Sequence, residues 1–587
     1  MRLTSHAVKR FLRDLPALRP LRLAVLAAKA RGHAHHDWRA LGREIAALRA
    51  ERANAGAPAP RVLLATSIGL HFAATRLDGL LAAALMLRGA EVEELLCDGF
   101  LPSCMTANLS WEHDLAAFAR RGIRRDLCRA CHGPAAASFG PLGIPVGAYG
   151  DHLDDAARRE LDKLAQDVPA DRLGDYTVRG VNIGEHAVAG ALRFFARGSL
   201  IPERMPEAEG VLRTYFRAAL YAEAAFSRFL KKRPFDVVVL HHGIYVPQGI
   251  LADVARREGT RVVTWCTAYR EKCFIFSHDD TYHHTMINEP ESDWAELRLS
   301  PAQIGTIETY LADRRVGAQD WISFQRDPVF DSDKLDREFG LDPERPRIGL
   351  LTNVTWDARL HYPENVFASM EEWLIETIRY FATRPDLQLI IRVHPAEITA
   401  EYPTREPVIE VIREAIPDLP ENVVIVPPDN TASTYTLMGT CNAAIIFGTK
   451  TGLELAAAGI PVIAAGEAWI RNKGLSHDPV DRDAYFALLR RLPFEGADRE
   501  VDRARALTYA YHFFFRRMIP IQCVEAMPGF PPYRIGDVDA AHLAPGRDTG
   551  LDVICDGILK ATPFIYPAEC EGEAARPPAA ACPGQGS

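Results

Sequence analysis

An α/β protein of two Rossmann-like halves facing each other is the architecture this sequence predicts. Three observations lead there. Short apolar runs rich in Val, Ile and Leu recur along the chain, each stopping at Ser, Thr, His, Pro or Gly. Between most of them lie stretches with apolar residues at helical spacing, the alternation that a parallel sheet needs. The series then occurs twice, once between residues 60 and 270 and again between 345 and 465, with polar helical sequence between the two. Composition supports two cores. Of 587 residues, 48% are hydrophobic and 25% charged, unlike a disordered, collagenous or multi-span membrane chain.

Residues 1–56 form a basic helical extension. Up to residue 53 it carries 12 Lys and Arg against 4 Asp and Glu. Such a segment reads as a solvated helix pair, or as an attachment to an anionic membrane surface or acidic partner. Its apolar piece, Leu21 to Ala28, is too short to cross a bilayer and contains Arg22. Lys29 and Arg31 follow where a signal peptide would place small residues. The expected location is cytoplasmic, peripheral at the inner membrane. The net charge of -9 argues against nucleic acid as a partner, because phosphate neutralisation needs a basic face.

After a linker at Ala55 to Pro60, residues 57–335 read as the first α/β domain. Val62 to Thr66 is a buried strand running into Ser67 and Gly69. A helix from Thr75 to Arg88 and a strand from Val92 to Leu96 follow. Residues 150–230 are mainly helical. Phe235 to Leu240 is the clearest strand, ending at His241, His242 and Gly243. A helix from Pro247 to Glu258 leads to the strand Arg261 to Trp265, and residues 290–340 read as a polar helical linker. Residues 336–495 are the second domain, with strands at Arg347–Leu351, Leu387–Val393, Asn422–Val426, Ala443–Phe447 and Pro461–Ala465 and a long helix near Ser369 to Thr383. Residues 496–568 are a C-terminal helix and return segment. Its aromatic run, Tyr509 to Phe515 with Arg516 and Arg517, suits interdomain packing or membrane contact. The Pro/Ala/Gly-rich residues 569–587 read as disordered.

Ligands in such sheets bind beyond the strand C-termini, and three features of the second half lie there. Arg392 and His394-Pro395 end one strand, where an imidazole can donate to a phosphate. Gly448-Thr449-Lys450-Thr451-Gly452-Leu453-Glu454 joins a strand to a helix, a setting that suits an anion, with Glu454 placed to accept ribose hydroxyls. The lysine position does not fit a P-loop. Arg471 and Lys473 follow the next strand and can neutralise phosphate. The bland readings are a packing histidine, an ordinary helix cap and a solvated basic loop.

Together these residues, with Ala458 to Pro461 and Lys473 to Pro479, make residues 345–490 resemble the capsule polysaccharide biosynthesis glycosyltransferases. That GT-B group includes the bacterial Kdo transferases. The resemblance implies a GT-B fold, a nucleotide-sugar donor bound by the second domain, and a surface polysaccharide or lipid-linked glycan as acceptor. It implies that His394 meets the donor phosphate, with Thr449 and Thr451 beside it and Glu454 on the ribose. The phosphate loop has Thr and Lys450 where Ser is expected, which leaves UDP, GDP and CMP open. No Asp-x-Asp motif ends a strand, so cationic side chains and a helix N-terminus are expected to carry the leaving-group charge, with no catalytic cofactor.

The base is expected from the first domain, across the cleft. His242 and His241 are the leading candidates, and Asp78 near Ser67 and Gly69 is another. His283 and His284 are candidates for acceptor sugar. Cys97, Cys104, Cys128 and Cys131 read as a structural zinc site, an iron–sulfur site or free buried thiols. The expected function is glycosyl transfer. A teichoic-acid-type polyol-phosphate transferase and a non-catalytic glycan-assembly scaffold are the alternatives.

Overall fold

A computed structural model describes residues 13–32, 35–52, 59–201, 204–317, 319–321, 328–358, 362–400 and 402–570. The start of the basic extension, most of the Ala55–Pro60 linker and the tail from 571 lie outside the described residues.

The first half builds on β1 (Arg61–Ser67), β2 (Glu91–Leu96), β3 (Val146–Ala148), β4 (Val237–His241), β5 (Arg261–Thr267) and β6 (Cys273–His278). Their order is β6-β5-β4-β1-β2-β3, parallel except for β6. The second half builds on β7 (Arg347–Leu351), β8 (Gln388–Arg392), β9 (Val423–Val426), β10 (Ala443–Ile446) and β11 (Val462–Ala464), in the order β11-β10-β7-β8-β9 and all parallel. Both orders reverse beside the first strand, at β1/β4 and at β7/β10, which opens a crevice at the C-terminal edge of each sheet. The two Rossmann-like sheets face each other across a cleft, the GT-B arrangement.

Burial on both faces explains why the parallel strands read as continuous apolar runs. All five residues of β4 are buried. In β7, Gly349 leaves room for Met438, since a Cβ there would sit 2.3 Å from its sulfur. Polar caps fix the helix starts: Ser369 Oγ accepts from Glu372 N at the helix Met370–Phe381, and Ser300 and Gln303 form a capping box at Pro301–Arg314.

The helix Phe72–Leu87 is buried along its whole length, as its largely apolar sequence requires. It is covered in part by Trp38 of the N-terminal extension, which packs on Gly79, and in part by residues from the far end of the chain. Tyr533 Oη donates to Ala73 O at 2.6 Å, and Arg88 pairs with Asp552. The same returning segment supplies β12 (Ile519–Pro520), antiparallel to β6, and the hairpin β13 (Val524–Ala526) and β14 (Tyr533–Ile535). Five strands escape the sequence reading, the short hairpin strands β13 and β14 among them. β3 and β12 are too short to show a period, and β6 owes its place to pairing with β5. Among the described residues no helix is long and apolar enough to cross a membrane.

Candidate functional site

A cavity of about 430 Å³ lies between the C-terminal edges of the two sheets. Its first wall begins where β4 ends. His242 and Tyr245 adopt left-handed backbone angles, φ 69° and 68°, as does Gly243 between them. For non-glycine residues this costs roughly 1–3 kcal/mol each, and such strain concentrates at functional sites. The turn brings the His242 ring into the cavity, 6.1 Å from the His283 ring and 5.8 Å from that of Tyr282. His242 Nδ1 and His283 Nε2 are buried without hydrogen-bond partners among the described residues. Burial holds His242 down at about 4, opposed by the negative charge of Asp357. Burial and the neighbouring His242 hold His283 well below the ordinary range. Both are neutral imidazoles at pH 7.

Asp357 comes from the other half, on the loop after β7. Tyr245 Oη donates to its Oδ1 at 2.7 Å and accepts from Ala358 N at 2.9 Å. One tyrosine therefore ties the two walls together beside His242.

The second wall carries His394 and the loop Gly448–Thr451. His394 Nδ1 accepts from Ala396 N at 3.0 Å, so the ring proton resides on Nε2, which is the donor of the pair. Burial, then Lys450 and Arg392, hold this histidine at about 4. Thr449 and Thr451 sit with their hydroxyls 3.4 Å apart. The helix they open, Thr451–Ala457, has only seven residues, so anion affinity here rests on side chains more than on a long helix dipole.

Behind the loop lies a buried charge network. Glu454 Oε1 accepts from Lys450 Nζ and Arg314 Nη2, each at 3.2 Å, and Oε2 accepts from Tyr435. Arg314 also pairs with Asp320 and donates to Tyr310 Oη at 3.2 Å. Lys450 Nζ lies 4.5 Å over the Tyr269 ring. Glu454 is thereby held at about 2 despite its burial, chiefly by Arg314 and then Lys450.

The structure sorts the sequence candidates. His242, His283, His394, Gly448, Thr449, Lys450 and Thr451 line the one cavity. Arg392 borders it, but its guanidinium donates to the carbonyls of Pro427 and Asn430, a loop brace and not an anion contact. Gly452 packs helix on sheet: a Cβ there would lie 2.5 Å from Ile446 Cδ1. Glu454 spends both oxygens on the network, away from the cavity wall. Five expectations are corrected, since their residues do not line the cavity. Arg471 is buried with its guanidinium on Ala464 O and Pro479 O, at 2.8 and 2.7 Å. Lys473 Nζ donates to Ile287 O at 2.7 Å. Neither lines the cavity; Trp469 of the same turn does. Asp78 does not face the cleft either. It is enclosed in the first sheet's core, where Thr66 Oγ1 and Trp265 Nε1 donate to it at 2.6 and 3.0 Å. His241, one residue before His242, packs against His71 and Trp265, with ring centroids 4.3 and 4.8 Å away. His284 does not line this cavity but a different one, and pairs with Asp280 at 3.0 Å. Sequence reasoning missed Asp357, Tyr245, Arg314 and Asp320, none of which lies in a motif. The strained His-His-Gly turn after β4 was the available signal for Tyr245.

Cys97, Cys104, Cys128 and Cys131 line a separate small cavity beyond β1 and β2. As placed, no three His, Cys, Asp or Glu groups among the described residues could hold one metal ion.

No family model matches the chain, and no curated protein matches it. Solved structures align with it at low identity. The Thermosulfurimonas dismutans KpsC beta Kdo 2,4 transferase does so at 15% identity and a TM-score of 0.33, over 48% of this chain and 80% of that one. A UDP-GlcNAc 2-epimerase from Neisseria meningitidis bound to UDP-GlcNAc aligns at 10% and 0.28, over 77% and 98%. A glycosyltransferase from Rickettsia africae aligns at 10% and 0.26, over 78% and 94%. Identities this low concern the fold, and TM-scores this low add nothing to the reading of the site, which rests on its own residues.

Proposed function

We propose that this protein transfers a glycosyl group from a nucleotide-sugar donor to a hydroxyl of a surface polysaccharide or lipid-linked glycan. The observation that carries the reading is the facing of two groups across one cavity: His242 with Asp357, and His394 with the hydroxyls of Thr449 and Thr451. Donor phosphate fits the second group. His394 Nε2–H and the two threonine hydroxyls can donate to it, with the Lys450 charge behind. The acceptor hydroxyl fits the first. As its oxygen attacks the anomeric carbon, the carbon–phosphate oxygen bond breaks and the hydroxyl proton passes to His242. The imidazolium that forms is stabilised by Asp357 across the cleft. The nucleotide leaves with its phosphate hydrogen-bonded, and this route calls for no metal. Exposed Leu21 and Val25 on the basic helix Arg19–Arg31 support a peripheral position at an anionic membrane, where such acceptors reside.

Thermal stability with UDP, GDP, CDP and CMP tests the donor half. A ligand at about 100 times its Kd adds about 2.7 kcal/mol. One nucleotide is expected to stabilise the wild type and His242→Ala, but not His394→Ala. Stabilisation of all three equally, or of none, removes the donor site from this cavity.

A further inference from the structure

The loop and helix between β2 and β3 bring four cysteines to one place. Cys97 directly follows β2, and its N–H donates to Ser67 O at the end of β1 at 2.8 Å. Cys104 lies seven residues on. Cys128 and Cys131 are three apart on the helix Arg125–Phe139, so they share a face. All four are free and line a single cavity of about 20 Å³, room for about one water. The rest of its wall is largely apolar, with Ile68, Leu101, Ile123 and Leu127. The approach is deliberately close. Gly99, at φ 83°, leaves room where a Cβ would sit 2.9 Å from Cys128 Cβ.

A second observation is independent of this convergence. Nearby backbone N–H groups favour the thiolate form, working against the burial that raises these thiols: those of Gly99 and Leu101 for Cys97, Thr106 and Ala107 for Cys104, and Leu70 for Cys131. Neutral thiols are weak acceptors and have no need of so many donors. Thiolates bound to metal do, because these bonds spread the excess negative charge of a four-sulfur ligand set.

We propose that Cys97, Cys104, Cys128 and Cys131 form a four-thiolate centre for a thiophilic metal, either zinc or an iron–sulfur core. Its lining shares no residue with the glycosyl-transfer cavity, and it is independent of that reading. Binding exchanges four S–H protons for metal–sulfur bonds, and the protons pass to solvent. As placed the thiols are not arranged around one ion, so binding requires their side chains to turn toward the centre of the cavity they line. The centre staples the 97–124 loop and the following helix onto the ends of β1 and β2.

The test is metal analysis of the full chain, purified anaerobically with a thiol reductant, together with sulfide analysis and X-ray absorption at the zinc and iron edges. The expected result is one centre per chain with a purely sulfur first shell. Metal–sulfur distances near 2.3 Å without a metal–metal shell identify zinc; an iron–iron shell with stoichiometric sulfide identifies a cluster. Cys128→Ser with Cys131→Ser is expected to lose the metal, and Cys523→Ser to keep it. Should the double variant not fold, the wild-type absorption spectrum still decides. A chain that stays metal-free after incubation with Zn²⁺, or with ferrous iron and sulfide, while four cysteines titrate with a thiol reagent, overturns the proposal. So does a first shell containing nitrogen or oxygen, or a disulfide between any two of the four.

Discussion

Glu454→Gln is the sharpest perturbation of the buried charge network, because it keeps shape and removes charge. Glu454 receives hydrogen bonds from Arg314, Lys450 and Tyr435. Its carboxyl is held at about 2 in the folded chain against an ordinary 4.5. At 1.36 kcal/mol per unit, that difference corresponds to about 3 kcal/mol of stability. The sign follows from the depressed value. The contribution is fully present above the unfolded carboxyl's range and is lost as pH falls toward 2. Removing one member of a buried ion pair costs about 3–5 kcal/mol, because the partner cations stay buried; the two routes agree. Urea unfolding followed by tryptophan fluorescence, at pH 8 and at descending pH down to 3, is the assay. We expect the variant to lose about 3 kcal/mol at pH 8, with the gap narrowing below pH 4. Arg314→Met in the same chain should recover part of the loss. A loss under ~1 kcal/mol at pH 8, or a gap that widens on acidification, would refute the assignment of Glu454 as the anion that neutralises Arg314 and Lys450.

Asp78→Asn should flatten the pH dependence of stability. Burial raises the Asp78 carboxyl to about 7 and that of nearby Glu94 well above its ordinary value, so wild-type stability declines as pH rises from 4 toward 7. The amide mimics the protonated acid, and parallel wild-type and variant curves from pH 4 to 8 would contradict this. Tyr245→Phe removes the bonds to Asp357 and Ala358; it should cost ~1 kcal/mol, speed amide exchange in the 352–358 loop and slow transfer without weakening nucleotide binding. Unchanged exchange there would show that the tyrosine is not the tie between the walls. Arg471→Met should lower stability through its lost carbonyl contacts yet leave nucleotide-induced stabilisation intact; a lost nucleotide response would return Arg471 to the donor site.

The sheets were legible because parallel strands buried on both faces must be apolar throughout, as in Val237 to Leu240 or Leu389 to Ile391. β3 and β12 carry too few residues to display any pattern. The loops at strand ends were legible for the same topological reason: His242, His394 and Thr449 to Thr451 had to lie at a crevice. Side-chain direction was not. Arg392, Arg471 and Lys473 were read for their charge, but a guanidinium or ammonium at a strand end can turn inward to brace carbonyls as readily as outward to meet phosphate. His241 and His242 show the limit most clearly. The strand ends at His241 and the backbone turns left-handed at His242, which separates the two rings, and identical side chains gave no means of choosing which one reaches the cavity. Asp357 and Arg314 are made functional by contacts with residues more than a hundred positions away, which no local window contains.

The position of β12 has a bearing on biosynthesis. β6 finds its outer neighbour only after the whole second sheet has been made, and the central helix Phe72–Leu87 waits equally long for Tyr533 to cover it. On the ribosome the half that emerges first is the half finished last. Meanwhile the part of that helix not covered by Trp38 and the helix Arg39–Arg52 is left open and the β6 edge unpaired, the surfaces that invite association between nascent chains. Completion of the first half therefore depends on the returning segment, which supplies both the β6 partner and Tyr533.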